Sequence, residues 1–351
     1  MPSVPRMCKC GHRVAVLLSI WGLSGFGLGI LYCRAATYRS PKQTARRYLL
    51  HPSINSSPLP NLTHVPNKKP SKIVVCFPYN GEKRLVLDRL NTSSISYLVV
   101  SESTFSANGN PKHLRWEQDL RQMLTTFPIP VTYIVESRKL YDFKDNEGRW
   151  KQEVAVRSIL GTGVRSLYES QLINDNDVIV VNDADEIVND ASLSYIRDNI
   201  KHGEYAEVSL SWFLYTRCFL HSRPWVQPVA VTVKTLRQSM NWNPHLIRAI
   251  HNPSVNRNTW RKMSIPLKNN GYHCSWCLSK QDIRTKFEMT CCDIPESVTQ
   301  QRYSDDRIQN MRLNGINWNG QVHGQNVCSN GELKRELIRF DDFQLTHTKK
   351  E

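Results

Sequence analysis

No Asp or Glu precedes Glu82 in this chain of 351 residues. The first 81 residues instead carry 11 of the 46 Lys and Arg, which leaves the remainder with 35 bases against 31 acids, a net of only +4. The formal +15 therefore belongs mostly to the N-terminal quarter. A nucleic-acid binder is expected to show its basic patch on the folded domain, so that class falls away. Charge of either sign is missing from Val14 to Cys33, a run of 20 residues. At about 1.5 Å per residue, such a run crosses a hydrocarbon core of about 30 Å. The apolar part of a cleaved signal peptide is shorter, about 7–15 residues. An uncleaved anchor is therefore expected, and a cytosolic enzyme is not. No internal repeat is visible. A second C-x-x-C is also missing: Cys274-x-x-Cys277 is followed by the adjacent pair Cys291-Cys292, which is not zinc-ribbon spacing.

What is present divides the chain into four parts. Residues 1–13 form a short tail, expected on the cytosolic side, and 14–33 the anchor. Residues 34–72, punctuated by Pro41, Pro52, Pro58, Pro60, Pro66 and Pro70, read as a stem with too little apolar surface to fold. Residues 73–347 form a lumenal domain. The flanking basic residues do not settle orientation, but three N-x-S/T acceptors, Asn55, Asn61 and Asn91, all follow the span and favour a lumenal C-terminal side. Seven cysteines follow the anchor, an odd number, so at least one is free or pairs with another chain. Disulfides suit an oxidising lumen better than zinc does, and their connectivity is not legible.

Patterning in the domain alternates strand and helix. Ile73–Phe77, Tyr97–Val100 and Val131–Val135 read as short strands, and Leu114, Leu120, Leu124 and Phe127 fit one helical face. Lys151–Leu160 reads as a helix broken by Gly161 and Gly163, and Asp190 as the N-cap of the helix that carries Leu193, Ile196 and Ile200. The continuous apolar run after Asp177, Val178 to Val181, predicts a strand covered on both faces. The fold class is α/β with a largely parallel sheet, and the chemistry is expected beyond the carboxyl ends of the strands. Asn182-Asp183-Ala184-Asp185-Glu186 stands there. Three carboxylates in four residues at the end of a buried strand are costly unless something neutralises them. A hard divalent cation bound through oxygen, with positions left for phosphate oxygens, does so.

An Asp-x-Asp after an apolar strand serves either aspartate-based phosphatases or nucleotide-sugar glycosyltransferases. About a hundred residues of α/β structure precede this one, and Ile187 stands where the phosphatases carry Thr or Val, so the second use fits better. The run Val178–Ile187 resembles the signature of glycosyltransferase family 17. Further segments match in order: Asn80-Gly81-Glu82 with Leu85, Leu87, Arg89 and Leu90; Val99–Ser106 with Gly109 and Lys112; Trp150, Glu153 and Arg157; and Gly271–Cys277 followed by Lys286-Phe287. Residues 214–265 and the tail after Gly320 match poorly.

The resemblance implies a GT-A-like nucleotide-sugar-binding domain with a largely parallel mixed sheet. It also implies inverting transfer of GlcNAc from UDP-GlcNAc to the core β-mannose of an N-glycan, in β-1,4 linkage, in the Golgi membrane. Asp183 and Asp185 would hold Mn²⁺ or another divalent cation, with His273 completing the shell or serving as a structural histidine. Glu102, Arg157 and Asp183 would contact the donor, and Glu186 or Glu288 would act as the base. Trp212 and Trp276 would either stack on sugars or fill the core. Another acceptor within the family, a membrane-anchored glycan-binding protein without catalysis, and a phosphoryl-transfer enzyme remain the alternatives.

Overall fold

The computed structural model describes residues 70–341, apart from 91, 108, 120–128, 140–145, 252–259, 267–268, 290–303, 318–319 and 323. The expected anchor, Asn55, Asn61, Asn91, Cys291 and Cys292 lie outside the described residues. Among those described, no helix is long and apolar enough to cross a membrane.

Twelve strands are described: β1 Ile73–Pro78, β2 Tyr97–Ser103, β3 Val131–Glu136, β4 Val178–Val181, β5 Glu186–Val188, β6 Glu204–Glu207, β7 Ser211–Leu214, β8 Thr216–Leu220, β9 Val229–Thr232, β10 Arg261–Met263, β11 Gly271–Ser275 and β12 Gln325–Asn326. Seven form the main sheet, in the order β10-β6-β9-β4-β1-β2-β3. The pairs β4-β1, β1-β2, β2-β3 and β10-β6 are parallel, whereas β9 runs antiparallel to both β4 and β6. The sheet is thus mixed and mostly parallel. Alternate residues of each strand face opposite sides. Val75, Phe77, Leu98, Val100, Val178 and Val180 pack with Leu193 and Ile196 of the helix Asp190–Asn199. Val74, Cys76, Val99, Ile179 and Val181 pack with Ile159, Leu160, Val164 and Leu167 of the helix Asn146–Glu169. Full burial of side chains of this size contributes about 1.5–3 kcal/mol each, which is why the short run Val178–Val181 holds the centre of the sheet.

β1 is flanked by β2, which follows it, and by β4, which the chain reaches only after β3. A crevice at the carboxyl ends of β1 and β4 is the expected ligand position in such a sheet. The segments leaving these strands, Tyr79–Glu82 and Asn182–Glu186, meet there.

A second sheet, β12-β8-β7-β11-β5, was not legible from the pattern. Its strand β5 begins at Glu186, directly after the Asp-x-Asp, and pairs with β11 through Glu186 and His273. The helices Lys280–Met289, Asp305–Asn314 and Asn330–Asp341 pack on this side through Ile283, Phe287, Ile308, Met311, Leu333 and Leu337. Cys218 is bonded to Cys328, Cys274 to Cys277, and Cys76 is a free thiol buried in the main sheet. Burial pushes the Cys76 thiol far above its ordinary pKa, which keeps it protonated and inert.

Two local expectations are corrected. The helix expected to break at Gly161 and Gly163 runs unbroken from Asn146 to Glu169. These glycines serve close approach instead. A Cβ on Gly161 would lie 1.6 Å from the Trp242 carbonyl oxygen, and one on Gly163 would lie 2.5 Å from a Val99 methyl. The N-cap of the next helix is Asn189, whose side chain accepts from the Ser192 amide, not Asp190. Asp190 instead accepts from the amides of Ser93 and Ser94, pinning the loop before β2.

Gly161→Ala tests this packing. Alanine gains about 1 kcal/mol of helix propensity, but overpacking against fixed backbone costs roughly 1–3 kcal/mol or more. The substitution is expected to lower the melting temperature, as read by circular dichroism; an increase would show that the Trp242 carbonyl yields freely.

Candidate active site

Asp183, Asp185 and Glu186 are neutralised by the protein's own cations. Arg157 and Arg248 converge on Asp183: Arg157 Nη2 lies 2.9 Å from Oδ1 and 3.0 Å from Oδ2, and Arg248 Nη2 lies 2.8 Å from Oδ2. Burial works against the charge of Asp183. The two guanidiniums outweigh it and hold the carboxyl well below its usual range. Arg157 also pairs with Glu153 at 2.6 Å.

Glu186 is fully buried and has no oxygen to spare. Its Oε1 accepts from Trp225 Nε1 at 2.6 Å and Arg248 Nη1 at 3.0 Å, and its Oε2 accepts from Arg248 Nη1 at 2.7 Å and the Asp183 amide at 2.7 Å. The expectation that Glu186 is a catalytic base is therefore corrected: a base needs an open lone pair within reach of a substrate proton. Glu186 locks the loop. Arg89 does the same from beneath, donating to the carbonyls of Asp183 and Glu186 and to Asn182 Oδ1 at 2.8–3.1 Å. Burial pushes the Arg89 pKa down to about 10, yet it stays charged at neutral pH.

Asp185 is held more loosely. Lys286 Nζ lies 3.3 Å from its Oδ2, and His273 Nδ1 lies 3.5 Å from its Oδ1. Both exceed the usual hydrogen-bond range of about 2.7–3.2 Å. The same ammonium is 3.3 Å from Glu82, in the segment leaving β1. Burial opposes the charge of Lys286, but Asp185 and Glu82 outweigh it and raise its pKa. Its Nζ also lies 5.4 Å from the ring centroid of Trp276, which stacks on Phe287. Trp276 thus helps to place Lys286.

His273 is not available as a metal ligand. The indole N–H of Trp212 donates to Ser275 Oγ at 2.9 Å, and Ser275 Oγ lies 2.6 Å from His273 Nε2. A backbone carbonyl oxygen can only accept, so Nδ1 is the donor toward that of Asp185, and Nε2 is left to meet Ser275 Oγ. The imidazole proton then sits on Nδ1, 3.2 Å from the Asp185 carbonyl oxygen. Both ring nitrogens are occupied. Among the described residues, no group of three or more His, Cys, Asp and Glu side chains is placed to hold a metal ion. The donor set fits a cation in a narrower way: Asp185 keeps open carboxylate lone pairs, and Asp183 does not. A hard cation held by one carboxylate and completed by substrate phosphates is an ordinary arrangement.

Glu102 is also placed away from the expected role. It is fully buried at the end of β2, and accepts from the amides of Arg115 and Trp116 at 2.8 and 3.0 Å and from the Tyr133 hydroxyl at 2.8 Å. Lys112 stands 3.5 Å away. Glu102 organises the 104–116 loop rather than contacting a donor. The side chain of Glu288 lies outside the described residues. Arg248, Trp225 and the Glu82–Lys286 pair complete the site without having been expected in it. Arg248 lies 62 residues beyond Glu186 in the chain, in a segment that carries no motif.

Arg248→Ala removes the cation that Glu186 and Asp183 share, and leaves a buried carboxylate short of partners. A loss of about 3–5 kcal/mol of unfolding free energy is expected in urea titration. Asp185→Ala is expected to cost less than about 1 kcal/mol, since no hydrogen bond of ordinary length is lost. Equal costs would contradict this division.

The sequence profile described as glycosyltransferase family 17 matches residues 68–322, which include every site residue named above. No curated protein matches the chain. Among solved structures, the chain is similar to a 4-diphosphocytidyl-2C-methyl-D-erythritol synthase, with 15% identity, 55% of this chain and 87% of that one covered, and a TM-score of 0.31. It is also similar to the inositol-1-phosphate CTP transferase from T. maritima, with 8% identity, 68% and 96% covered, and a TM-score of 0.28. For the WbbM bifunctional glycosyltransferase in its apo form the values are 14% identity, 58% and 40% covered, and a TM-score of 0.29. These likenesses are too distant to bear on the site. The family profile covers well over half of the sequence, and on that ground the chain belongs to glycosyltransferase family 17.

Proposed function

We propose that this glycosyltransferase moves GlcNAc from UDP-GlcNAc to the core β-mannose of N-glycans, forming a β-1,4 linkage with inversion. The observation that carries this reading is the Asp183–Glu186 loop at the carboxyl ends of β1 and β4, within the segment matched by the family. The donor and the linkage rest on the resemblance of that loop and of the Gly271–Cys277 block. The expected anchor at 14–33 and the acceptors Asn55, Asn61 and Asn91 support a single-pass protein of the Golgi membrane with its catalytic domain in the lumen.

A UDP-sugar carries its negative charge on the diphosphate, and more charge develops as UDP departs. Asp185 would hold a divalent cation, Mn²⁺ in this reading, which when bound supplies Lewis-acid stabilisation of that charge. Arg157 has planar donors suited to phosphate oxygens and stands at the same crevice, oriented by Asp183 and Glu153. Asp183 thus acts through the guanidiniums that it fixes. Glu186 and Arg89 keep the loop from relaxing when its charges are engaged, because fixed groups need no reorganisation during the reaction. The acceptor hydroxyl attacks C1 from the face opposite the departing UDP, and its proton goes to a carboxylate with an open lone pair, which excludes Glu186.

The test is a donor screen followed by linkage analysis. With Mn²⁺, UDP-GlcNAc and a biantennary N-glycan, the expected product carries a β-1,4 GlcNAc on the core mannose. Incorporation at another sugar would discard the acceptor and keep the class, whereas no transfer from any UDP-sugar by folded protein would discard the class. Asp185→Ala is expected to lower kcat by roughly 10²–10³-fold or more while the protein remains folded.

A further inference from the structure

Beyond the carboxylate loop, four aromatic side chains form a continuous row into a second cleft. The row starts at His273, whose Nδ1 touches the Asp185 carbonyl oxygen. The indole of Trp225 stacks on this imidazole, with centroids 4.3 Å apart and planes 18° from parallel. Trp212 follows at 5.1 Å from Trp225, and His221 lies 4.1 Å from Trp212. The backbone fixes this order. Leu210 and Trp225 exchange two hydrogen bonds of 2.8 and 2.9 Å, and the His221 amide donates to the Trp212 carbonyl at 2.7 Å. Trp225 is further tied to Glu186, and Trp212 to Ser275. The rings are held at both ends, so the wall is rigid.

The row opens into a cleft of about 170 Å³ lined by Ser209, Ser211, Trp212, His221, Arg223 and Pro224. Its Trp212 wall lies close to the site, with ring centroids of Trp212 and His273 6.3 Å apart. Ser209, Ser211 and Arg223 are exposed. Among the described residues, Arg223 forms no ion pair. The cleft therefore offers two hydroxyls, a guanidinium fork and the amphipathic edge of an indole. These are the partners of a neutral pyranose, whose hydroxyls both donate and accept and whose C–H faces suit aromatic walls. The cleft is lined by β7, by the end of β8 and by the residues flanking them, and so belongs to the second sheet. A nucleotide is expected instead at the carboxyl ends of β1 and β4 in the main sheet.

We propose that this cleft is the acceptor subsite. It holds a hexose ring of the acceptor glycan, with Trp212 as its wall and Arg223 and Ser211 as hydroxyl partners, so that the neighbouring accepting hydroxyl reaches the crevice beside Asp185. The proposal rests on the transferase reading above and extends it to the residues that select the acceptor. His221, Arg223 and Pro224 fall in the stretch 214–265 that showed little resemblance to the family, where an acceptor preference of this chain's own would be encoded.

Two variants test it. Arg223→Ala removes an exposed side chain and leaves the rings in place. Ser211→Tyr fills the cleft from an exposed strand position. The probes are a biantennary N-glycan, followed by saturation-transfer NMR without any donor, and UDP, followed by calorimetry. Arg223→Ala is expected to weaken glycan binding and raise the acceptor KM on the order of tenfold, as loss of a hydrogen bond from a charged donor does. Ser211→Tyr is expected to abolish the glycan signal. UDP affinity is expected to stay unchanged in both. Unchanged glycan binding in both variants overturns the proposal, as does absence of glycan signals with the unaltered protein. A parallel loss of UDP affinity overturns it too, by moving the cleft to the donor side. Because glycan binding is read without turnover, failure of every UDP-sugar to react would remove the transferase reading and leave the subsite test intact.

Discussion

Glu186 carries a negative charge at a position that solvent does not reach, and Arg248 is what makes that position tolerable. A buried carboxylate without its partner is among the most destabilising features a fold can contain, so the rest of the site is built around this contact. Arg248 spends its second nitrogen on Asp183, and Arg157 completes that carboxylate from the helix Asn146–Glu169. Arg89 fastens the carbonyls of the same loop from the helix that follows β1. The loop between β4 and β5 is thereby tied to three segments remote in sequence. Asp185 is the one acid of the three without a close donor.

This division changes the meaning of the motif. From sequence, three acids in four residues called for an external cation to neutralise them. In the folded chain the neutralisation of Asp183 and Glu186 is internal, and only Asp185 keeps carboxylate capacity for something that arrives from outside. Lys286, shared between Asp185 and Glu82 at distances slightly long for hydrogen bonds, balances the charge of the crevice before any ligand enters. Two residues of the Gly271–Cys277 block serve the same end: Trp276 sits beside the Lys286 ammonium, and His273, fixed by Ser275 and Trp212, supports the Asp185 backbone.

The central strands were legible because their signal is local: Val178–Val181 is apolar at every position, and only a strand covered on both faces needs that. The end of that strand, and therefore the position of the Asp-x-Asp, followed directly. Gly161 and Gly163 misled because a glycine's usual effect on a helix is local, while their use here is close approach to segments remote in the chain, the Trp242 carbonyl for Gly161 and Val99 for Gly163. The second sheet escaped notice because its strands have only two to five residues, too few to establish a period of two. Arg248 had no sequence signal, since an arginine in a short helix looks the same whether it faces water or a buried glutamate. Glu102 and His273 sit at strand positions that suggested ligand contact, and only their partners reveal that they are spent on the fold.

The division of labour between the two aspartates is the central claim, and Mn²⁺ binding followed by electron paramagnetic resonance tests it without turnover. Free Mn²⁺ would be titrated into the unaltered protein, Asp185→Asn and Asp183→Asn in the presence of UDP. The account predicts that Asp185→Asn loses the bound-ion signal, while Asp183→Asn keeps it and requires more UDP to saturate, because Arg157 is no longer held in place. Equal loss in both variants, or loss in Asp183→Asn alone, would contradict it.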